Sequence, residues 1–284
     1  MSEYENFMAT LENKSDATKK QYRLQYNKLL KLTGKNIADT SEKKIIELLD
    51  NIDNKNNSQA LLNIALLIRR MNKLSTTQLE AKREADKKKI NTAIREGNKE
   101  LKENLPSYND LVEYTEHLYN QGEWTDFIIN WLLLNIQVRN QDLDFTIIKA
   151  KKEATDKTKN YMWLSPTKLV YIRNVYKTSN INKPDGSTTG YGQKLNTITD
   201  KKMISAIRKV LTCKELKEPC GTFIPNKSSI AYYLQKATYK GIGEGKYFKV
   251  VVNHYRNDLD KLKEISDNRG TDLKTIMNFY DINV

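Results

Sequence analysis

Asp144-Phe-Thr-Ile-Ile-Lys149, Asn160-Tyr-Met-Trp-Leu164, Leu169-Val-Tyr-Ile-Arg-Asn-Val-Tyr176 and Lys194-Leu-Asn-Thr-Ile198 decide the fold. Each stretch is short and rich in β-branched and aromatic residues, so each reads as a strand. On both sides of them the apolar residues recur at helical spacing instead. Residues 179–193, between the last two strands, are rich in Gly, Asn, Pro and Ser and read as a long exposed loop. The expectation is a mainly α chain carrying a small antiparallel β-sheet (α+β), with the β-insertion at about 144–198.

Working outward, Ser15-Asp16 opens a helix with Tyr22, Tyr26, Leu29, Leu30 and Leu32 at helical spacing, closed by Gly34. Ser41 starts a second helix with Ile45, Ile46, Leu48 and Leu49 inward. Asn54–Ser58 reads as a turn and Ser58–Met71 as a strongly apolar third helix. Residues 75–103 form a long basic run whose apolar positions (Leu79, Ile90, Ile94, Leu101) are sparse, which predicts a solvated helix, either lying on a polyanion or without contact duty. Pro106 and Ser107 mark a domain boundary. The expected division is a helical domain over 1–104 and a second domain over 105–284. In the second, helices are expected at 108–119, 124–137, 201–211, 228–239, about 251–265 and 272–279.

The charge narrows the partners. The chain has 284 residues with 48 Lys and Arg against 35 Asp and Glu, net +13. The excess is spread: residues 1–104 hold 21 basic and 15 acidic side chains, the remainder 27 and 20. Distributed cations of this kind suit a nucleic acid, whose phosphates they neutralise, although a Lys-rich surface also serves solubility. No apolar run approaches the roughly 20 residues of a membrane span, and the acidic start Met1-Ser-Glu-Tyr-Glu-Asn6 does not read as a signal peptide. Cys213 and Cys220 read as ordinary thiols of an intracellular, reducing compartment. With His117 and His254 widely scattered, a four-ligand zinc site is not expected, nor is any other cofactor.

Several chemistries fall away on motif grounds. There is no GxxxxGK[ST] phosphate loop, and Gly241, Gly243 and Gly245 follow a helix where a dinucleotide fingerprint would follow a strand. No carboxylate cluster resembles a two-metal nuclease site. What remains is an ordered series: Arg139-Asn-Gln-Asp142-Leu143 after the apolar helix, Tyr176-Lys177-Thr178-Ser179 before the loop, Tyr191-Gly192-Gln193 after it, Val252-Asn253-His254-Tyr255-Arg256 read as a helix start, and Tyr280.

In that order these elements resemble the tyrosine recombinase (phage integrase-like) family, in particular its divergent members from large DNA viruses and virophages. The likeness covers nearly the whole chain, including Ala17-Thr-Lys-Lys-Gln-Tyr22 in a helical half similar to the family's core-binding domain. It implies that Arg139 and Arg256 are the two catalytic arginines, with Asp142 supporting the fold around the first. Lys177 becomes the hairpin lysine and Tyr280 the nucleophile. Asn253 stands where most members have His or Lys, and Thr271 where they have His or Trp. The implied activity is site-specific cleavage and rejoining of double-stranded DNA through a covalent 3′-phosphotyrosine link, without metal or cofactor, by a tetramer assembled on DNA. With Tyr280 four residues from Val284, the exchange tail of many members is expected to be missing.

The residue set suits that chemistry. A phenol ordinarily holds its proton to a pH of about 10, so an attacking tyrosine needs cations or a base nearby. Two guanidinium groups can grip the nonbridging oxygens and stabilise the charge of the transition state. A lysine can protonate the leaving 5′-oxygen. Asn253 and Thr271 can only hydrogen-bond, so Arg269 or His254 is a candidate stand-in. The alternative reading is a recombinase-like protein that binds DNA and has lost its chemistry. Singly, each residue also has an ordinary reading: Arg139 as a helix-end cation, Lys177 and Arg256 as surface charges, and Tyr280 as a tyrosine packed by Ile276 and Ile282.

Overall fold

The computed structural model describes residues 2–14, 16–179, 181–182, 188–212, 223 and 230–282. Cys213 and Cys220 lie outside the described residues, as do Ser228 and Ser229 and residues 180 and 183–187 of the expected loop. The chain divides into two compact units, one of residues up to Glu96 together with Asn182, the other from Gly97 to Ile181 and from Thr188 on; the division after Glu96 falls inside one continuous helix.

The first unit contains α1 (Glu3–Ala9), α2 (Asp16–Thr33), α3 (Glu42–Asp50), α4 (Lys55–Met71) and the start of α5 (Thr77–Lys102). Its core is Phe7, Tyr26, Leu29, Ile45, Leu49, Leu61, Leu62, Ala65, Ile68 and Leu79. The sequence pattern does not announce α1, because seven residues with a single buried apolar side chain show no periodicity. Ser2 and Glu5 close a capping box at its start. Phe7 stacks on Tyr26 at 5.0 Å, and the Glu3 carboxylate accepts from Tyr26 Oη (3.0 Å) and from the Ile37 and Ala38 amides (3.1 and 2.7 Å). The expected turn at 54–58 is instead a helix start. Asn54 Oδ1 accepts from the Asn57 amide at 3.0 Å, and Ser58 Oγ donates to Leu49 O at 3.1 Å, so the polar run caps and anchors α4.

α5 is the long, mostly solvated helix that its composition predicts. Its N-terminus is held from outside the helix. The buried Glu42 carboxylate accepts from the Gln78 and Leu79 amides at 2.8 and 3.0 Å, meeting two of the orphan donors of a helix start. Buried Arg69 closes the turn before it, with Nε on Ser75 O and Nη1 on Thr40 O, each at 2.7 Å.

The second unit is built around α7 (Trp124–Asn135), which is apolar on nearly all faces and is therefore buried. Around it lie α6 (Tyr108–Gln121), α8 (Lys201–Thr212), α9 (Ile230–Ala237) and α10 (Gly243–His254), followed by α11 (Leu259–Arg269) and α12 (Leu273–Phe279). Strands β1 (Phe145–Ile148), β2 (Asn160–Leu164), β3 (Leu169–Arg173) and β6 (Lys194–Ile198) form one sheet in the order β1-β2-β3-β6, while β4 (Ile181–Asn182) and β5 (Thr188–Thr189) pair separately.

Two expectations are corrected. The sheet is mixed, not purely antiparallel: β1 runs parallel to β2 with Phe145 opposite Asn160, while β2/β3 and β3/β6 are antiparallel. Residues 149–159, with a 3₁₀ turn at Lys151–Glu153, are long enough to carry the chain back to the start of β1. The helix expected at about 251–265 is two helices. Val252–Arg256 ends the first, and Asp258 caps the second by accepting from the Lys261 amide at 2.9 Å.

Burial pushes the Glu42 carboxyl up, but hydrogen bonds from Ser75, Leu79 and Gln78 and the charge of Arg69 leave it below its ordinary 4.5. A carboxylate depressed in the folded state contributes stability that is fully present above about pH 4.5 and is lost as pH falls through the folded value. Glu42→Gln is therefore expected to lower stability by about 2 kcal/mol at pH 7. The gap from wild type should close as urea titrations are repeated below pH 4.5; a gap independent of pH refutes the assignment.

Candidate active site

The site is assembled on two short segments, Arg269-Gly270-Thr271 after α11 and Phe279–Ile282 after α12. The local sequence explains both. Gly270 ends α11 in the left-handed region (φ 63°), and Asp272 opens α12 by accepting from the Thr275 amide at 2.7 Å. A side chain at 270 is excluded by packing as well, since a Cβ there would lie 2.6 Å from Tyr176 Cε2 and 2.7 Å from Thr178 Oγ1.

Arg139 reaches the first segment from the end of α7. Gln137 turns the chain with φ 51°, an unusual value for a residue with a side chain. Its own amide supports the turn, with Nε2 donating to Leu134 O at 2.5 Å and Oε1 accepting from Asn268 Nδ2 at 3.2 Å. Asp142 then fixes the backbone of Arg139, its Oδ2 accepting the Arg139 amide at 3.0 Å. The Arg139 guanidinium is half-buried and donates from Nη1 to Arg269 O at 2.6 Å. Its pKa is lowered by burial first and by the like charge of Arg269 second. Asp142, Tyr280 and Glu244 act in the opposite sense.

Arg269 is buried beneath these groups, 3% exposed. Nη1 donates to Gln137 O (3.1 Å) and Val138 O (3.2 Å), and Nη2 pairs with the Glu244 carboxylate. Its guanidinium carbon lies 3.9 Å from the centre of the Phe248 ring and 5.8 Å from that of Tyr280. Tyr280 is half-buried and stands edge-on to Phe248, at 4.7 Å and 80°.

The turn at 176–179 meets the same segment. Ser179 N and Oγ both donate to Tyr176 O, and Thr178 Oγ1 donates to Gly270 O. Lys177, between the two residues that touch Gly270, is exposed. Beneath the turn, Arg173 and Asp142 form a buried ion pair (Nη1 to Oδ2, 3.5 Å), and Arg173 Nη2 donates to Asn196 Oδ1 at 2.9 Å. Burial raises the Asp142 carboxyl despite the Arg139 amide and the neighbouring guanidinium charges. The pair links the chain that carries Arg139 to the strand that leads to Lys177.

The second segment collects two more of the expected residues. Asn253 Nδ2 donates to Lys249 O (2.7 Å) and Tyr280 O (3.1 Å), and its Oδ1 accepts from the Ile282 amide at 3.1 Å. Arg256 Nη2 lies 3.4 Å from Oδ2 of the buried Asp281, with the arginine side chain 37% exposed. Thr271 is held through its backbone, N to Ser266 O at 3.1 Å and O from Ser266 Oγ at 2.5 Å. His254 is exposed and stacks on Tyr108 at 3.9 Å, so its ring is engaged with the start of α6.

The structure thus gathers Arg139, Tyr280 and the Lys177 turn around residues 269–270, and Asn253 and Arg256 around residues 280–282. The sequence names Arg269 only as a stand-in, and it gives no sign of Glu244 or Arg173. Nothing local marks these residues, because a buried cation is recognisable only by its burial. Among the described residues no group of three or more His, Cys, Asp or Glu side chains could hold a metal ion, and no helix is long and apolar enough to cross a membrane.

No protein-family model matches the chain, and no curated protein matches it. Among solved structures, one titled "Crystal structure of XerA recombinase" is similar over 98% of this chain and 93% of its own, at 11% identity and a TM-score of 0.38. A superposition that loose carries no argument about function.

Removing the Arg269 guanidinium strands the Gln137 and Val138 carbonyls and the Glu244 carboxylate. Arg269→Met is expected to destabilise the protein by about 3 kcal/mol in urea unfolding. A loss below about 0.5 kcal/mol, the scale of a surface substitution, would show the buried pair to be dispensable.

Proposed function

We propose that this chain is a tyrosine recombinase-type DNA strand transferase, with Tyr280 as nucleophile, Arg139 and Arg256 as phosphate-binding cations and Lys177 as the proton donor to the leaving oxygen. The observation that carries the reading is the meeting at residues 269–270. Arg139 Nη1 is on Arg269 O, Thr178 beside Lys177 is on Gly270 O, and the Tyr280 ring lies 5.8 Å from the guanidinium of Arg269. Residues some 140 positions apart in sequence are drawn there from α7, the β3 turn and α12.

The chemistry follows from the groups. The phenolic oxygen of Tyr280 attacks the scissile phosphorus as its own proton passes to solvent water, the bond to the 5′-oxygen breaks, and Lys177 supplies the proton that the leaving oxygen needs. Arg139 commits one of its five N–H groups to Arg269 O, and the others remain to serve the nonbridging oxygens. Arg256 is oriented by Asp281 and exposed enough to reach a bound phosphate. The 3′-phosphotyrosyl ester conserves the energy of the broken bond, so attack by a 5′-hydroxyl reverses the step. Asn253 acts through the backbone of residues 280–282, and the Thr271 hydroxyl offers a hydrogen bond at most. The partner is a DNA duplex, whose phosphates the net +13 suits, bound by several copies of the chain.

A second reading keeps the DNA binding and drops the chemistry. It is favoured by one observation: neither the Asn253 amide nor the Thr271 hydroxyl is a general acid or base near neutral pH, and the Asn253 amide is committed to the C-terminal backbone.

A duplex nicked next to the scissile phosphate separates the two readings, since loss of the short fragment traps the covalent intermediate. Wild type is expected to form the adduct and Tyr280→Phe none, with equal DNA affinity. Arg139→Ala should slow trapping by about 10²- to 10³-fold. Wild type that binds a duplex site-specifically yet never forms an adduct on it would leave the binding-only reading standing.

A further inference from the structure

The last turn of α12 leaves backbone carbonyls without helical partners, as every helix C-terminus does. Here the carbonyl of Phe279 and those of the two residues after the helix, Tyr280 and Asp281, are taken by side-chain amides from other helices. Asn253 of α10 donates to Tyr280 O at 3.1 Å. Asn98, on the last turns of α5 and buried to 2% exposure, lies with Nδ2 3.3 Å from Phe279 O and 3.4 Å from Asp281 O. Lys249 joins the two amides: its carbonyl accepts from Asn253 Nδ2 at 2.7 Å, and its ammonium donates to Asn98 Oδ1 at 2.5 Å. That ammonium is partly withdrawn from water, which lowers its pKa, and the nearby charge of Lys246 acts in the same direction.

Resting on the recombinase reading above, we propose that Asn98, oriented by Lys249, is a positioning residue for Tyr280. Asn98 touches neither the phenol nor the place of the phosphate. It fixes the carbonyls on both sides of Tyr280, and Asn253 fixes the one between. With three successive peptide groups held, the Cα of Tyr280 and the direction of its Cα–Cβ bond are set, and only the side-chain torsions remain for the ring to reach the phosphorus. A nucleophile displaced by about 1 Å can lose 10²-fold in rate, so the clasp is a rate device that leaves DNA binding to other residues.

The test compares single-turnover trapping on the nicked duplex, at saturating DNA, for wild type, Asn98→Ala and Asn98→Asp. Asn98→Asp is nearly isosteric and keeps the Lys249 contact, but it turns an acceptor toward two carbonyls and so serves where alanine weakens folding. Both variants are expected to trap about 10- to 100-fold more slowly, per molecule able to trap, with unchanged DNA affinity. A duplex with sulfur replacing the bridging 5′-oxygen adds a chemical readout. Its leaving group needs no protonation, so it should rescue Lys177→Ala and leave Asn98→Ala slow.

Wild-type trapping rates in both Asn98 variants, with loss confined to the fraction folded, would overturn the proposal. So would rescue of Asn98→Ala by the sulfur substrate. If wild type traps nothing, the recombinase reading falls. The clasp is then judged by hydrogen exchange, where Asn98→Ala should speed exchange of the Tyr280 and Ile282 amides about tenfold, and unchanged exchange would remove it.

Discussion

A single buried guanidinium organises the second unit. Arg269 holds the two carbonyls that precede Arg139, pairs with Glu244 at the start of α10, lies over the Phe248 ring at 3.9 Å and offers its own carbonyl to Arg139. An uncompensated charge at that depth is costly, so each partner is held in place by the penalty of leaving the cation unpaired. Specific geometry comes from a group with five directed donors, where apolar packing would tolerate several arrangements.

The electrostatics of the site follow from that core. Arg139 stands beside a second guanidinium and is partly desolvated, and both effects lower its pKa. The carboxylate close to these two cations, Glu244, is paired with Arg269. Asp142, the other carboxylate close by, is neutralised by its partner Arg173 and by depth, its proton affinity raised by burial. The C-terminal segment is held differently, with the carboxamides of Asn98 and Asn253 on its backbone carbonyls beside the Arg256–Asp281 ion pair.

Much of this is legible in the sequence wherever the cause is local. Strands 160–164 and 194–198 are readable to the residue, because alternation and β-branching are properties of a few neighbouring side chains. The caps at Ser41 and Ser107 are likewise visible, each a short side chain facing the amide three residues on. The strand direction of β1 is not, since parallel pairing depends on where an eleven-residue connection takes the chain. Helix α1 is not either, because the partners of Glu3, the Tyr26 hydroxyl and the Ile37 and Ala38 amides, lie far along the sequence. The break at Asn257-Asp258 carries a cap signal that the pattern overrides, the apolar spacing on either side being compatible with one helix.

The amino-acid sequence by itself determined most of the helical and strand segments, the basic charge and the ordered series Arg139, Lys177, Asn253, Arg256, Thr271, Tyr280, because these rest on residue type and near-neighbour spacing. Only the tertiary structure decided which of them share a surface and what holds them there. Arg269, Glu244, Asn98 and Lys249 act through burial and through hydrogen bonds to carbonyls up to 183 residues away. Desolvation is a property of the packed interior, and no stretch of chain displays it before it is folded.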